Sequence, residues 1–265
     1  MKLYVSADIE GVTGIALWEE TENGHSRYPY FAQQMTKEVS AACQGAMAAG
    51  AGDILIKDAH GSACNLIPDL LPEETRLYRG WGADIQSMVS GLDGSFGGLF
   101  CIGYHAGAGM DTNPLSHTVN THNNYVKING RIAPELYING LTAAYYGVPV
   151  LLVTGDQGLC DWMRDLNPNV ETVAVNQGVG RGTVSIHPNK ALRLIREAAE
   201  RAVRKDPGSC LIPLPEHFTV EISYKEHHRA KNAASYPGVI QTGPAEIRCE
   251  TDDWMEARRA LDHIL

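Results

Sequence analysis

Short apolar runs alternate with helical stretches along the chain, and that alternation predicts its elements. Strands are expected at KLYVSA (2–7), DILIKD (53–58), GGLFCIG (97–103), VPVLLVTG (148–155) and VETVAV (170–175). Helices are expected over about 31–49, from about Glu135, near Leu159 and over about 189–204. Such alternation specifies an α/β fold: a mainly parallel sheet flanked by helices on both faces. Function in these sheets collects at the carboxyl ends of strands. KINGRI (127–132) carries Asn129-Gly130 between short extended arms, a hairpin signature, so the sheet is expected not to be purely parallel. The breaker-rich segment DPGSCLIPLP (206–215) is the one candidate boundary. It divides an α/β catalytic domain, residues 1–207, from a smaller C-terminal α+β part, residues 208–265. The latter is built from TVEISY (219–224), a polar helical stretch, EIRCET (246–251) and a final helix from about Asp252.

With 265 residues, 44% of them hydrophobic and 20% charged, the chain can bury a large core without disulfide staples. A formal net charge of −9 argues against nucleic acid or an anionic membrane as partner, and suits cationic ligands. No apolar run reaches the roughly 18 residues of a membrane span. Met1-Lys2 enters directly into the first strand without a charged-then-apolar leader, so the expected location is the cytoplasm. The six cysteines contain no CxxC pair and read as reduced, mostly buried thiols.

The first strand runs straight into Asp8 and Glu10. Residues two apart in an extended chain project to the same side, so two carboxylates share one small volume and repel. Either water relieves that repulsion, as in an ordinary acidic turn, or a cation does. The second strand ends in DAHG, with His60, and the third in YHAGAG, with His105; Glu135 opens the helix after Pro134. Taken singly, a histidine at a strand end is usually a hydrogen-bonded loop residue, and an early helical Glu usually just favours the helix dipole. Together, two imidazoles and three carboxylates form a mixed N/O ligand set suited to zinc, and nearly as well to manganese or cobalt. Five donors exceed one tetrahedral site with an open position, and suffice for two sites sharing a bridging carboxylate. Asp8, nearest the strand end, is the natural bridge. His117, within LSHTVN, either moves a proton in the reaction or braces a strand. His122, His187, His227 and His228 read as surface or structural residues, and GVGRG (178–182) as a turn.

The segments SADIEGVTG, KDAHGSACNL, GYHAGAG…LSHT, INGRIAPE…N, VTGD and GVGRGTVSIHP, in this order over nearly the whole chain, resemble the M55 D-aminopeptidase family of dinuclear zinc peptidases. The resemblance implies two zinc ions per chain, one held by Asp8, Glu10 and His60 and the other by Asp8, His105 and Glu135, with a catalytic role for His117. It also implies a metallo-aminopeptidase that removes N-terminal D-amino acids such as D-Ala from short peptides through a metal-bound hydroxide. A ring-like homodecamer enclosing the active sites is implied as well. Two positions depart from the family pattern: Lys57 stands where Asn is common, and Pro134 where Gly precedes the ligand Glu. Neither removes a ligand; they bear on substrate preference. The rival readings are a dinuclear amidase, phosphoesterase or peptidase of other stereochemistry, and a metal- or peptide-binding protein without catalysis.

Overall fold

The computed structural model describes all 265 residues. In chain order its first half contains β1 (Lys2–Ala7), α1 (Tyr28–Ala48), β2 (Asp53–Asp58), β3 (Thr75–Tyr78), β4 (Gly98–Tyr104), β5 (Asn123–Ile128) and β6 (Arg131–Ile132). The second half contains α2 (Glu135–Tyr145), β7 (Val150–Asp156), α3 (Gln157–Leu166), β8 (Glu171–Val179), β9 (Gly182–Ser185) and α4 (Pro188–Arg204). It ends with β10 (Phe218–Tyr224), α5 (His227–Ala233), β11 (Val239–Gly243), β12 (Glu246–Thr251) and α6 (Trp254–Ile264).

Seven strands form a sheet in the order β3-β2-β1-β4-β7-β8-β9, parallel throughout except for β9, which pairs antiparallel with β8. β4 and β7 are buried along their whole length, as their unbroken apolar runs require in a sheet covered on both faces. From β1 the chain winds outward through β2 and β3, then returns to β4 on the opposite side of β1. The winding direction therefore reverses between β1 and β4, and a doubly wound sheet opens its crevice at such a point, beyond the carboxyl ends of the strands.

The antiparallel strand pair in this sheet is β8–β9, not the KINGRI hairpin. That hairpin, β5–β6, lies in a second, antiparallel sheet of order β11-β12-β10-β5-β6, where β5 pairs with β10 from the C-terminal part. The C-terminal sheet is thus completed by strands from before residue 207. GVGRG forms the tight β8–β9 turn, with Gly180 at φ 59°. A single cluster of 69 buried apolar residues runs through both sheets. α1 and α4 cross closely on one face, since a Cβ at Gly45 would stand 2.1 Å from the Arg196 carbonyl oxygen. α2 and α6 meet where Trp254 Nε1 donates to Thr142 Oγ1 at 3.0 Å. All six cysteines are free thiols and five are buried. No helix is long and apolar enough to cross a membrane.

Candidate active site

β2, β1 and β4 lie side by side in parallel, so their carboxyl ends deliver His60, Asp8 with Glu10, and His105 to one place. Two glycines allow the approach. Gly103 has φ 71°, and a Cβ there would stand 2.3 Å from the Asp8 carbonyl oxygen; a Cβ at Gly11 would stand 1.8 Å from the Tyr104 carbonyl oxygen. Only glycine tolerates both the positive φ and the contact. Gly107 in turn lets the loop after His105 press against Pro134, which enters α2 and sets Glu135 in its first turn.

All six residues singled out in the sequence converge. His60 Nδ1 stands 3.3 Å from Asp8 Oδ1 and 3.1 Å from Glu10 Oε2. His105 Nε2 stands 3.4 Å from Asp8 Oδ2 and 3.5 Å from Glu135 Oε2. His117 Nε2 lies 4.0 Å from Glu10 Oε1 and 3.6 Å from Glu135 Oε1, so it faces the same centre. Asp8, Glu10, His105 and Glu135 are buried. Three overlapping triads have ligand atoms within 4.8 Å of one another: Asp8, Glu10, His60; Asp8, His105, Glu135; and Glu10, His105, His117. Asp8 belongs to the first two, one oxygen turned to each histidine.

Each imidazole is oriented by the main chain. His60 Nε2 is 2.9 Å from the Thr21 carbonyl, His105 Nδ1 is 2.9 Å from that of Ala106, and His117 Nδ1 is 2.9 Å from that of Leu115. A ring N–H donating there leaves the other nitrogen's lone pair facing the carboxylates, the arrangement found in histidine metal ligands. Burial works against a charge on His60, but Glu10 and Asp8 outweigh it and push the imidazole well above its ordinary value. Glu135 and Asp8 do the same for His105. Burial would raise Asp8, yet the neighbouring His105 and His60 imidazoles hold it well below the usual carboxylate range. The cluster thus demands positive charge at its centre. Asp8 Oδ2, Glu10 Oε2 and His105 Nε2 are buried without any hydrogen-bond partner. A tetrahedral zinc with bonds of about 2.0–2.1 Å separates its ligand atoms by about 3.3 Å, close to the 3.1–3.5 Å spacings in the two triads that share Asp8. The donor set and its spacing fit the metal.

Beneath the cluster sits Asp156, at the end of β7 and fully buried. Its Oδ2 accepts from Ala106 N at 2.7 Å and Asn113 Nδ2 at 3.3 Å, and its Oδ1 accepts from Leu159 N at 2.9 Å and Thr112 Oγ1 at 3.2 Å. Asn113 Nδ2 also donates to the Glu10 carbonyl at 3.2 Å. Asn176 and Glu38 hold the loop after Glu10, through Val12 O at 2.6 Å and Thr13 N at 3.0 Å. Sequence reading missed these supports; the one signal was that Asp156, like Asp8, ends an apolar strand run.

The cluster opens into a cavity of about 570 Å³ whose walls include Trp18, Glu22, Trp81, Val119 and His122. His122, read as surface or structural, therefore stands at the cavity rim, while His187, His227 and His228 are exposed elsewhere. Lys57 sends no charge into the cavity. It is fully buried, donating to the carbonyls of Asp58 and Gly80 at 2.7 Å each, with its ammonium 4.5 Å from the centre of the Trp81 ring.

Residues 1–263 match the M55 peptidase family, described as D-aminopeptidase. The D-aminopeptidase of Bacillus subtilis (strain 168) is 34% identical over 266 residues, spanning 98% of this chain and 95% of that protein. The solved structure of the zinc-dependent D-aminopeptidase DppA from Bacillus subtilis, a self-compartmentalizing protease, superimposes with a TM-score of 0.92 at 33% identity. That match covers 100% of this chain and 96% of the other.

Proposed function

The chain belongs to the M55 family of D-aminopeptidases, and from that membership we propose that it releases N-terminal D-amino acids, such as D-Ala, from short peptides at the Asp8 cluster. The observation that carries the reading is the pair of triads sharing Asp8 at the floor of one cavity. In this reading Asp8, Glu10 and His60 hold one zinc ion and Asp8, His105 and Glu135 a second; manganese or cobalt would suit the same donors. When bound, such ions polarise a scissile carbonyl and acidify water from a pKa of about 16 towards 7.

The chain's own part is positioning and proton movement. His117 commits Nδ1–H to the Leu115 carbonyl, so Nε2 is the atom that would take a proton from the attacking water, whose oxygen bonds to the carbonyl carbon, and return it to the departing amine as the C–N bond breaks. Its ring is held between His105, stacked at 4.3 Å, and the edge of Trp18 at 5.2 Å. Glu22, on the cavity wall and outside the triads, is the acidic side chain available to the substrate's α-ammonium. Likeness to a self-compartmentalizing protease supports assembly into a closed homo-oligomer, which we take to be a decamer.

The test is hydrolysis of D-Ala-D-Ala and L-Ala-L-Ala by zinc-loaded protein. A peptidase built for D-residues misaligns the carbonyl of an L-residue, and a displacement of about 1 Å costs about a hundredfold. Equal rates would remove the D-preference and leave a metal hydrolase. His117→Ala should lower kcat by about two to four orders of magnitude at unchanged metal content. Both dipeptides left intact by metal-replete protein would favour a binding protein without catalysis.

A further inference from the structure

Val119 has φ 64°, which makes it the β-branched residue among the five non-glycine residues at positive φ. The others are Ala63, Ala83, Ser87 and Asn129. A left-handed conformation is costly for a branched side chain, because Cβ substituents crowd the flanking peptide. The surroundings impose it from both sides. Thr118 is buried, with Oγ1 donating to the Ala133 carbonyl and accepting from Ala108 N, each at 3.1 Å. Asn120 donates through Nδ2 to the Leu265 carbonyl at 2.7 Å and accepts from His122 N at 2.8 Å. Between these anchors the Asn120 N–H closes back on the Thr118 carbonyl at 2.7 Å, a three-residue turn with Val119 at its apex.

Nothing in the core compensates. Val119 is 53% exposed and forms part of the cavity wall. Its own N–H donates to Glu135 Oε1 at 2.6 Å, which ties the apex to the cluster. Standard backbone dimensions then put its Cβ within about 5 Å of that carboxylate oxygen. In an aminopeptidase the side chain of the first substrate residue is attached one atom from the scissile carbonyl, so it must share this space. Resting on the aminopeptidase reading above, we propose that Val119 is a specificity-determining residue: its isopropyl group limits the size of the first side chain and favours small residues such as alanine.

Three variants separate size from backbone strain. Val119→Gly relieves the strain and empties the space; Val119→Asn relieves the strain and keeps most of the volume, since Asn tolerates positive φ; Val119→Ala removes two methyls. Strain relief should raise the melting temperature of the Gly and Asn proteins by about 2 °C or more. For D-Leu-D-Ala relative to D-Ala-D-Ala, kcat/KM should rise about tenfold or more in Val119→Gly, by less in Val119→Ala, and stay near the wild-type ratio in Val119→Asn. A wild-type ratio in an active Gly variant would overturn the proposal alone, as would an Asn variant that shifts as far as Gly. Failure of the wild type to cleave either dipeptide would overturn the aminopeptidase reading and this proposal with it.

Discussion

Replacing Asp156 tests whether the layer beneath the cluster matters as much as the cluster. Asp156→Ala removes the N-cap of α3, worth about 1 kcal/mol, because Leu159 N loses its acceptor. It also strands the buried Ala106 N–H, for about 1–3 kcal/mol more, since that group donates to Asp156 Oδ2 at 2.7 Å. A loss of about 2–4 kcal/mol lowers the melting temperature by roughly 5–15 °C in a domain of this size. Activity should fall further than stability, for Ala106 follows His105 directly and supplies the carbonyl that orients its ring. A ring shift of about 1 Å costs about a hundredfold in kcat. Asp156→Asn separates the two roles: the amide still caps α3, but its NH2 cannot accept the second set of donors. It should therefore recover the cap contribution and little of the activity. Calorimetry, zinc content and kcat on one preparation suffice as the assay. Asp156→Ala melting within about 2 °C of wild type with wild-type kcat would refute the reasoning.

Two further outcomes are expected. Asp8→Ala should abolish binding of both metal ions while Glu135→Ala retains about one, by elemental analysis after dialysis; one ion left in Asp8→Ala would exclude the bridging role. In chelated protein, His60 and His105 lie above their unfolded value of about 6.5, so their ion pairs stabilise fully below that pH and fade as pH rises through the folded values. Asp8, held below its unfolded value of about 3.9, contributes above that pH and loses its effect as pH falls through its folded value. Metal-free protein should thus melt highest between about pH 4 and 6.5 and lose stability towards pH 9, where zinc restores most; a pH-independent melting temperature in chelator would contradict this.

The candidate cluster was legible because its carriers are strand ends. DILIKD and GGLFCIG are apolar runs of strand length broken by His-Gly or His-Ala-Gly, so chemistry and punctuation coincide within a few residues. What the sequence could not convey were pairings over distance. β5 and β6 carry a correct hairpin signal, but their sheet is decided by β10, whose Val220 pairs with Ile128 across more than ninety residues. β3 is four partly exposed residues, TRLY, too short for a periodic signal. Asp156 was visible as a strand-end acid but had no nearby histidine to mark it. Val119 was hidden for a different reason: valine prefers negative φ, and its left-handed turn exists only because Thr118 and Asn120 are anchored elsewhere.

That contrast divides the site into two kinds of structure. Asp8 and His105 immediately follow parallel strands whose neighbours are buried on both faces, and Glu135 lies in the first turn of a helix; such positions move little, which the proposed proton transfer and metal binding require. The cavity walls come instead from the connecting segments: Trp18 in a short 3-10 turn (Trp18–Glu20) after β1, Trp81 in the stretch beyond β3, and Val119 in the segment that joins β4 to β5. Lys57 links the two kinds. Its ammonium, fully buried, grips the Gly80 carbonyl and lies over the Trp81 ring, so a charge at the end of β2 supports a cavity wall without entering the cavity. Changes in that wall are expected to alter which peptides fit while leaving the triads intact, because the loops that carry it can vary without moving the strand ends. Lys57 and Val119 are therefore where this chain's substrate preference is best sought.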